Sequence, residues 1–266
     1  MRRIALFLLL TCSLAACAQD GWMERVARTQ AEQPHWITPL ATTTPRLEQE
    51  FRFDMQWLQT ATGTTTNYGV SKGLELIPAE RVEVILGVPA YLAHTQPGAV
   101  DGWSDWSWLV KYRLLSRNEE HGGAIITAFL GGTFPTGSDR VGAPHPTLTP
   151  TIAYGKGFGN FDLQGTFGVT FPTADASLLG TPVSWNNAFQ YRVLKKLWPE
   201  VEINSTFFHD GPNSGRKQVF ITPGLVIGKI PLHNRLGLTL GAGVQIAATH
   251  FHTSNHNAIL SLRLPF

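Results

Sequence analysis

Apolar and polar residues alternate from Leu47 to the C-terminus, and this periodicity constrains the fold more than any other feature. Phe51, Phe53, Met55 and Trp57 interleave with Arg52, Asp54 and Gln56. Trp106, Trp108, Val110 and Tyr112 interleave with Ser107, Lys111 and Arg113. Leu236, Leu238, Leu240, Ala242, Val244 and Ile246 interleave with Gly237, Thr239, Gly243 and Gln245. A period of two sends neighbouring side chains to opposite faces of a strand. Twelve such segments can be counted, at 47–59, 64–75, 80–92, 103–115, 121–134, 147–157, 160–172, 183–195, 199–209, 217–229, 233–248 and 256–266. Each is long enough to cross a bilayer at a tilt, which takes about 9–11 residues. Strands of globular proteins average only about 5–6.

The connections sort by length. Apart from 60–63, those after odd-numbered segments are long (93–102, 135–146, 173–182, 210–216 and 249–255). Those after even-numbered segments are short (76–79, 116–120, 158–159, 196–198 and 230–232). Outer-membrane barrels have this asymmetry, with short periplasmic turns and longer outside loops. Lipid offers a backbone amide no hydrogen-bond partner, so a spanning sheet must close without an edge. The expected fold is all-β, a closed antiparallel transmembrane β-barrel of about twelve strands spanning residues 47–266 in the bacterial outer membrane. Composition agrees. Charged residues are only 15%, yet past residue 20 there is no apolar run long enough for a membrane helix. The net charge of +2 implies no nucleic-acid partner.

Residues 1–18 read as a signal peptide, with Arg2 and Arg3 before the apolar run Ile4–Leu10. Ala16-Cys17-Ala18 fits cleavage before Gln19, and Leu14-Ala15-Ala16-Cys17 also fits lipidation at Cys17. Cys12 and Cys17 are the only cysteines, so cleavage before Gln19 leaves no thiol for a disulfide or a Cys-ligated metal. Residues 19–46 are polar, carry Pro34, Pro39 and Pro45, and hold no period. They read as a periplasmic extension or as a segment tucked into the barrel mouth.

Assigning the apolar parity to lipid places Trp57, Tyr68, Tyr91, Trp106, Trp108, Phe134, Phe171, Trp185 and Phe207 near the outer strand ends, as an aromatic girdle. The opposite parity puts Arg52, Arg81, Lys111, Arg113, Arg192 and Arg263 inside with Asp54, Glu75, Glu83, Asp105, Asp162 and Glu202. Six charges of each sign argue against a strongly ion-selective pore. They should pair in a partly desolvated lumen. Phe129 and Phe220 are the aromatic candidates on a solute path, and inward glycines such as Gly224, Gly241 and Gly243 leave room for one. No catalytic motif or cofactor signature is found, so no enzyme is expected. His250, His252 and His256 cluster near the last outer loop without a supporting Cys or clear carboxylate, and no metal site is expected. The final strand, ending at Phe266, is similar to the signal read by the outer-membrane insertion machinery.

Four stretches carry a family resemblance: Gly102-Trp103-Ser104-Asp105 with Leu109–Arg113; Phe134-Pro135-Thr136-Gly137-Ser138; Gly155–Gly159 with Phe161–Gly165; and Trp185–Ala188 with Pro199–Glu202. The sequence thereby resembles outer-membrane transporters of the MetA-pathway of phenol degradation type. The resemblance implies a porin-like barrel for small solutes, hydrophobic or aromatic ones included. The second reading is a structural or surface-interaction barrel, closed inside by its charge network.

Overall fold

The computed structural model describes residues 21–266 except Ser71. The signal-peptide reading and its two cleavage alternatives lie outside the described residues. All strands among the described residues join one antiparallel sheet. Four membrane-crossing strands are each broken into two hydrogen-bonded pieces, so the twelve walls are built from sixteen strands. The first four are β1 (Glu50–Gln59), the pair β2 (Thr64–Gly69) and β3 (Gly73–Ala79), the pair β4 (Val82–Gly87) and β5 (Tyr91–His94), and the pair β6 (Gly102–Trp103) and β7 (Trp106–Arg117). Then come β8 (Ala124–Phe134), β9 (Thr147–Phe158), and the pair β10 (Phe161–Val169) and β11 (Phe171–Pro172). The last five are β12 (Val183–Tyr191), β13 (Leu197–Phe207), β14 (Lys217–His233), β15 (Leu236–Ala247) and β16 (His256–Pro265). Every wall expected from the alternation is present, with ends shifted by a few residues.

The barrel is closed by β1 pairing with β16, in register from Glu50 opposite Pro265 to Gln59 opposite His256. The Phe266 amide extends the seam by donating to the Gln49 carbonyl at 3.1 Å. Pro265, which has no N–H to give, stands at the last position of its strand, where the ladder ends.

The two parities face two environments. Leu130, Ile152, Phe167, Leu240, Ile246 and Leu260 are exposed on the outer surface, while their neighbours Phe129, Ala153, Thr166, Thr239 and Ile259 are buried. An apolar band of this extent is not stable in water. It matches the hydrocarbon-facing belt of a transmembrane barrel. The expected girdle rings are outside, with Trp106 stacked on Phe134 at 5.5 Å between centroids. A second set marks the short-turn end, where Phe158 meets Phe161 at 6.3 Å and Phe161 meets Phe189 at 6.5 Å.

The chain before β1 does not trail away from the barrel. Helix α1 (Trp22–Ala31) lies across the short-turn mouth. Its Arg28 pairs with Glu80 of the β3–β4 turn at 2.6 Å. After α1, nearly every residue from Gln33 to Gln49 is buried, His35 being the exposed exception. The three prolines keep this stretch out of helix and ladder alike. A short helix, α2 (Ala176–Leu179), caps one outer loop.

Leu260 sits at the middle of β16, on the outer face. Leu260→Arg should destabilise the folded barrel by about 2–4 kcal/mol in phospholipid vesicles, the cost of a cation at midplane. Equilibrium denaturant unfolding measures this, and an unchanged midpoint would contradict the assigned lipid face.

Candidate functional site

The inner wall and residues 33–49 form one hydrogen-bonded unit. A buried backbone that belongs to no ladder must still satisfy its N–H and C=O groups. Here the wall side chains do so. Glu200 accepts from the Leu40 amide at 3.0 Å. Glu202 accepts from Ala41 and Thr42 at 2.7 and 2.6 Å. Arg52 donates to the Leu40 carbonyl at 2.6 Å. Arg263 donates to the carbonyls of Thr38 and Pro39. Gln164 donates to the Ile37 carbonyl at 2.8 Å, and Thr127 to the Pro45 carbonyl at 2.5 Å. Lys111 donates to the Arg46 carbonyl at 3.1 Å.

Ion pairs complete the network. Arg52 meets Asp54 at 2.7 Å, Lys111 meets Glu83 at 2.9 Å, and Arg46 meets Glu48 at 3.0 Å, all with both partners buried. Arg113 pairs at 2.8 Å with Glu32, which follows α1, rather than with a wall carboxylate. The expected pairing of inward charges is therefore only half the account. Much of their capacity goes to the chain that lies among them.

Apolar contacts follow the same division. Trp36, Ile37 and Leu40 of the segment cluster with the wall residues Ile125, Trp198 and Val226. Val26 of α1 clusters with Leu47 and Ile77. The inward glycines expected to leave a solute path are taken up instead. An ideal Cβ on Gly224, Gly241 or Gly243 would lie 2.4, 2.5 or 2.7 Å from the Leu40 side chain. On Gly155 and Gly157 it would lie 2.5 and 2.8 Å from the Trp36 indole. The missing side chains make sockets for Leu40 and Trp36.

Among the sequence-predicted site residues, Arg52, Asp54, Glu83, Lys111, Arg113, Glu202, Phe129 and Phe220 are buried on the inner face. Phe129 carries the Lys111 ammonium over its ring at 5.5 Å, so its face is occupied. Arg81 is a correction. It lies exposed in the β3–β4 turn, because the wall ends at Ala79 and restarts at Val82. Arg192 also leaves the lumen proper. It follows the end of β12 at the short-turn mouth, bonds Asn160 at 3.2 Å, and covers Trp198 at 5.8 Å. Asp105 belongs to the outer loops, where its carboxylate accepts from the Gly137 and Ala143 amides at 2.9 and 2.8 Å. Both ring nitrogens of His252 are engaged locally, with the Thr249 carbonyl at 2.8 Å and Asn255 at 3.0 Å.

Sequence reasoning missed Glu200, and for residues 19–46 it left a periplasmic extension and a segment tucked into the barrel mouth both open. Glu200 was accessible to it, since Glu202 and Glu200 share a parity. The segment carries no period, so nothing in its pattern points inward.

At the mouth, the segment's departure from α1 is tied to a turn. The His35 amide and imidazole meet Glu119 at 2.6 and 2.9 Å. Burial raises the Glu119 pKa, but the hydrogen bonds from the His35 side chain and backbone outweigh it and hold the carboxyl below its usual range. A depressed carboxyl strengthens this tie above the ordinary glutamate value, and the gain is lost as pH falls through the lowered one.

A closed antiparallel barrel with an oily outside and a charged, hydrogen-bonded inside defines a transmembrane β-barrel. Solved structures agree at the level of fold. The COG4313 outer membrane channel from Pseudomonas putida F1 superposes with a TM-score of 0.58 at 13% identity, over 87% of this chain and 100% of that one. The NanC porin superposes with a TM-score of 0.53 at 8% identity, over 81% of this chain and 98% of that one. No family model and no curated protein matches the sequence.

Lys111→Met leaves the Glu83 carboxylate buried without its ion partner. The variant should lose about 3–5 kcal/mol, and Lys111→Met with Glu83→Leu should recover much of it. Urea unfolding of the refolded barrels reads both. If the double variant is as unstable as the single one, the pair does not account for the loss.

Proposed function

We propose that this protein is an outer-membrane channel for small solutes whose own N-terminal segment, residues 33–49, acts as a plug and holds it shut. One observation carries the reading. The inner wall spends its charged groups on the segment's backbone rather than on a lining for water, as the bonds from Glu200, Glu202, Arg52 and Arg263 show. A barrel serving only as a rigid scaffold could fill its lumen with wall side chains. This one fills it with a separate piece of chain held mainly by hydrogen bonds, each of which contributes about 0.5–1.5 kcal/mol net. Such a piece can be displaced without opening the sheet.

The solutes proposed are small and uncharged, aromatic ones included. Toward the outer loops the inner parity carries the neutral residues Asn67, Thr151, Asn186, Asn204 and Gln245. Phe129 and Phe220 would flank the path that a displaced segment uncovers. Three buried ion pairs, Arg52–Asp54, Lys111–Glu83 and Arg46–Glu48, cancel one another within the lumen.

Planar-bilayer recording tests the proposal. Wild-type protein should conduct rarely. Glu202→Gln, which weakens two segment bonds, and Gly241→Val, which crowds the Leu40 socket, should each raise the open fraction by about tenfold, the equivalent of roughly 1.4 kcal/mol. Proteoliposomes with either variant should take up a small neutral aromatic solute faster than an anion of equal size. Folded variants that stay as silent as wild type would favour the sealed, structural barrel instead.

A further inference from the structure

A cavity of about 180 Å³ opens at the short-turn mouth, where the segment enters the barrel. Its lining includes Trp36 and Arg46 from the segment and Arg192, Lys195, Trp198 and Lys229 from the wall and its turns. Four of these six side chains are cationic, and no carboxylate lines the cavity. Of the nearby carboxylates, Glu119 is engaged with His35, and Glu48 meets Arg46 through Oε1 while its Oε2 has no partner. Asp162, in the wall within electrostatic reach of Arg46 and Arg192, receives a hydrogen bond from Gln164 on Oδ1 at 3.1 Å and has no partner on Oδ2.

Two donors of these residues are sealed and unmet, the Trp36 Nε1 within its socket at Gly157. The Arg46 Nε and the Trp36 Nε1 have no hydrogen-bond partner, although both side chains are almost fully buried. Arg46 uses its Nη1 on the Trp36 carbonyl and on Glu48, so its guanidinium is fixed in place with one edge unspent. Arginine edges suit the paired oxygens of a phosphate, and lysines add point charges around it.

We propose that this cavity is an oxyanion site for a phosphate group, with Arg46, Arg192, Lys195 and Lys229 supplying charge. The volume exceeds that of a phosphate alone and leaves room for the first carbons of an ester beside Trp198. Two sources share this chemistry: a free phosphorylated solute in the periplasm, and a phospholipid headgroup of the adjacent leaflet. The site is distinct from the solute path, because it lies outside the segment on the turn side. A bound phosphate would bridge the segment and the wall.

The test uses the purified barrel with inorganic phosphate as the first probe, followed by phosphorus NMR line broadening and tryptophan fluorescence at constant ionic strength. Wild type should bind saturably. Arg192→Gln with Lys195→Gln should weaken binding by about tenfold or more, the usual effect of losing charge-assisted contacts. Lys196→Gln, in the same turn but off the lining, should leave it unchanged. The second probe is nanodiscs of phosphatidylglycerol against phosphatidylcholine. Phosphate binding that the double variant weakens assigns a free anion. A response only to phosphatidylglycerol, lost in the double variant, assigns a lipid headgroup. Absence of both responses in protein whose gel mobility shows a folded barrel overturns the proposal. So does binding that the Lys196→Gln control weakens as much as the double variant does.

Discussion

Everything in this molecule rests on one seam. The ten register pairs between β1 and β16 convert a sheet with two edges into a ring with none. In hydrocarbon an unpaired edge would expose a row of amides and carbonyls to a medium that cannot answer them. Once the ring is closed, outward residues need only be apolar, and inward ones are free to be anything that can be satisfied internally. The lumen charges exist because the seam protects them.

That protection shifts the hydrophobic core to an unusual place. In a globular protein the apolar faces of the sheet meet each other, whereas here they meet lipid. The interior clusters are instead made by Trp36, Ile37, Leu40 and Leu47, which pack onto a few inward apolar residues such as Ile77, Ile125 and Val226. Around them runs a polar shell in which buried Arg, Lys and Glu side chains bind main chain. Replacing one of those side chains leaves a charge or a peptide group stranded, so the segment and the wall hold each other's polar groups in balance.

The walls of the barrel were legible because alternation is a local signal repeated many times. Twelve walls, the long and short connections, and the outward rings Trp106 and Phe134 all follow from it. Arg81 and Asp105 were misplaced for a related reason: parity continues through a turn on paper but not in space. The buried course of 33–49 was legible only as one of two alternatives, a segment tucked into the barrel mouth. Its conformation is dictated by partners more than a hundred residues away, such as Gln164, Glu202 and Arg263, and nothing local encodes them. The inward glycines illustrate the same limit. Small residues announce space, but only coordinates tell what occupies it.

The segment enters and leaves the barrel on the same side, from α1 at the turn mouth and into β1 at the seam. Its carbonyls at Ile37, Pro39, Leu40 and Pro45 are each held by a different wall residue. Traction applied at α1 would load these ties in succession, as in peeling tape, and not all at once as in shearing a strand from a ladder. Rupture force is then set by the strongest individual attachment and not by their sum. A modest pull at α1 would strip the interior while the hydrogen-bonded ring around it stayed intact.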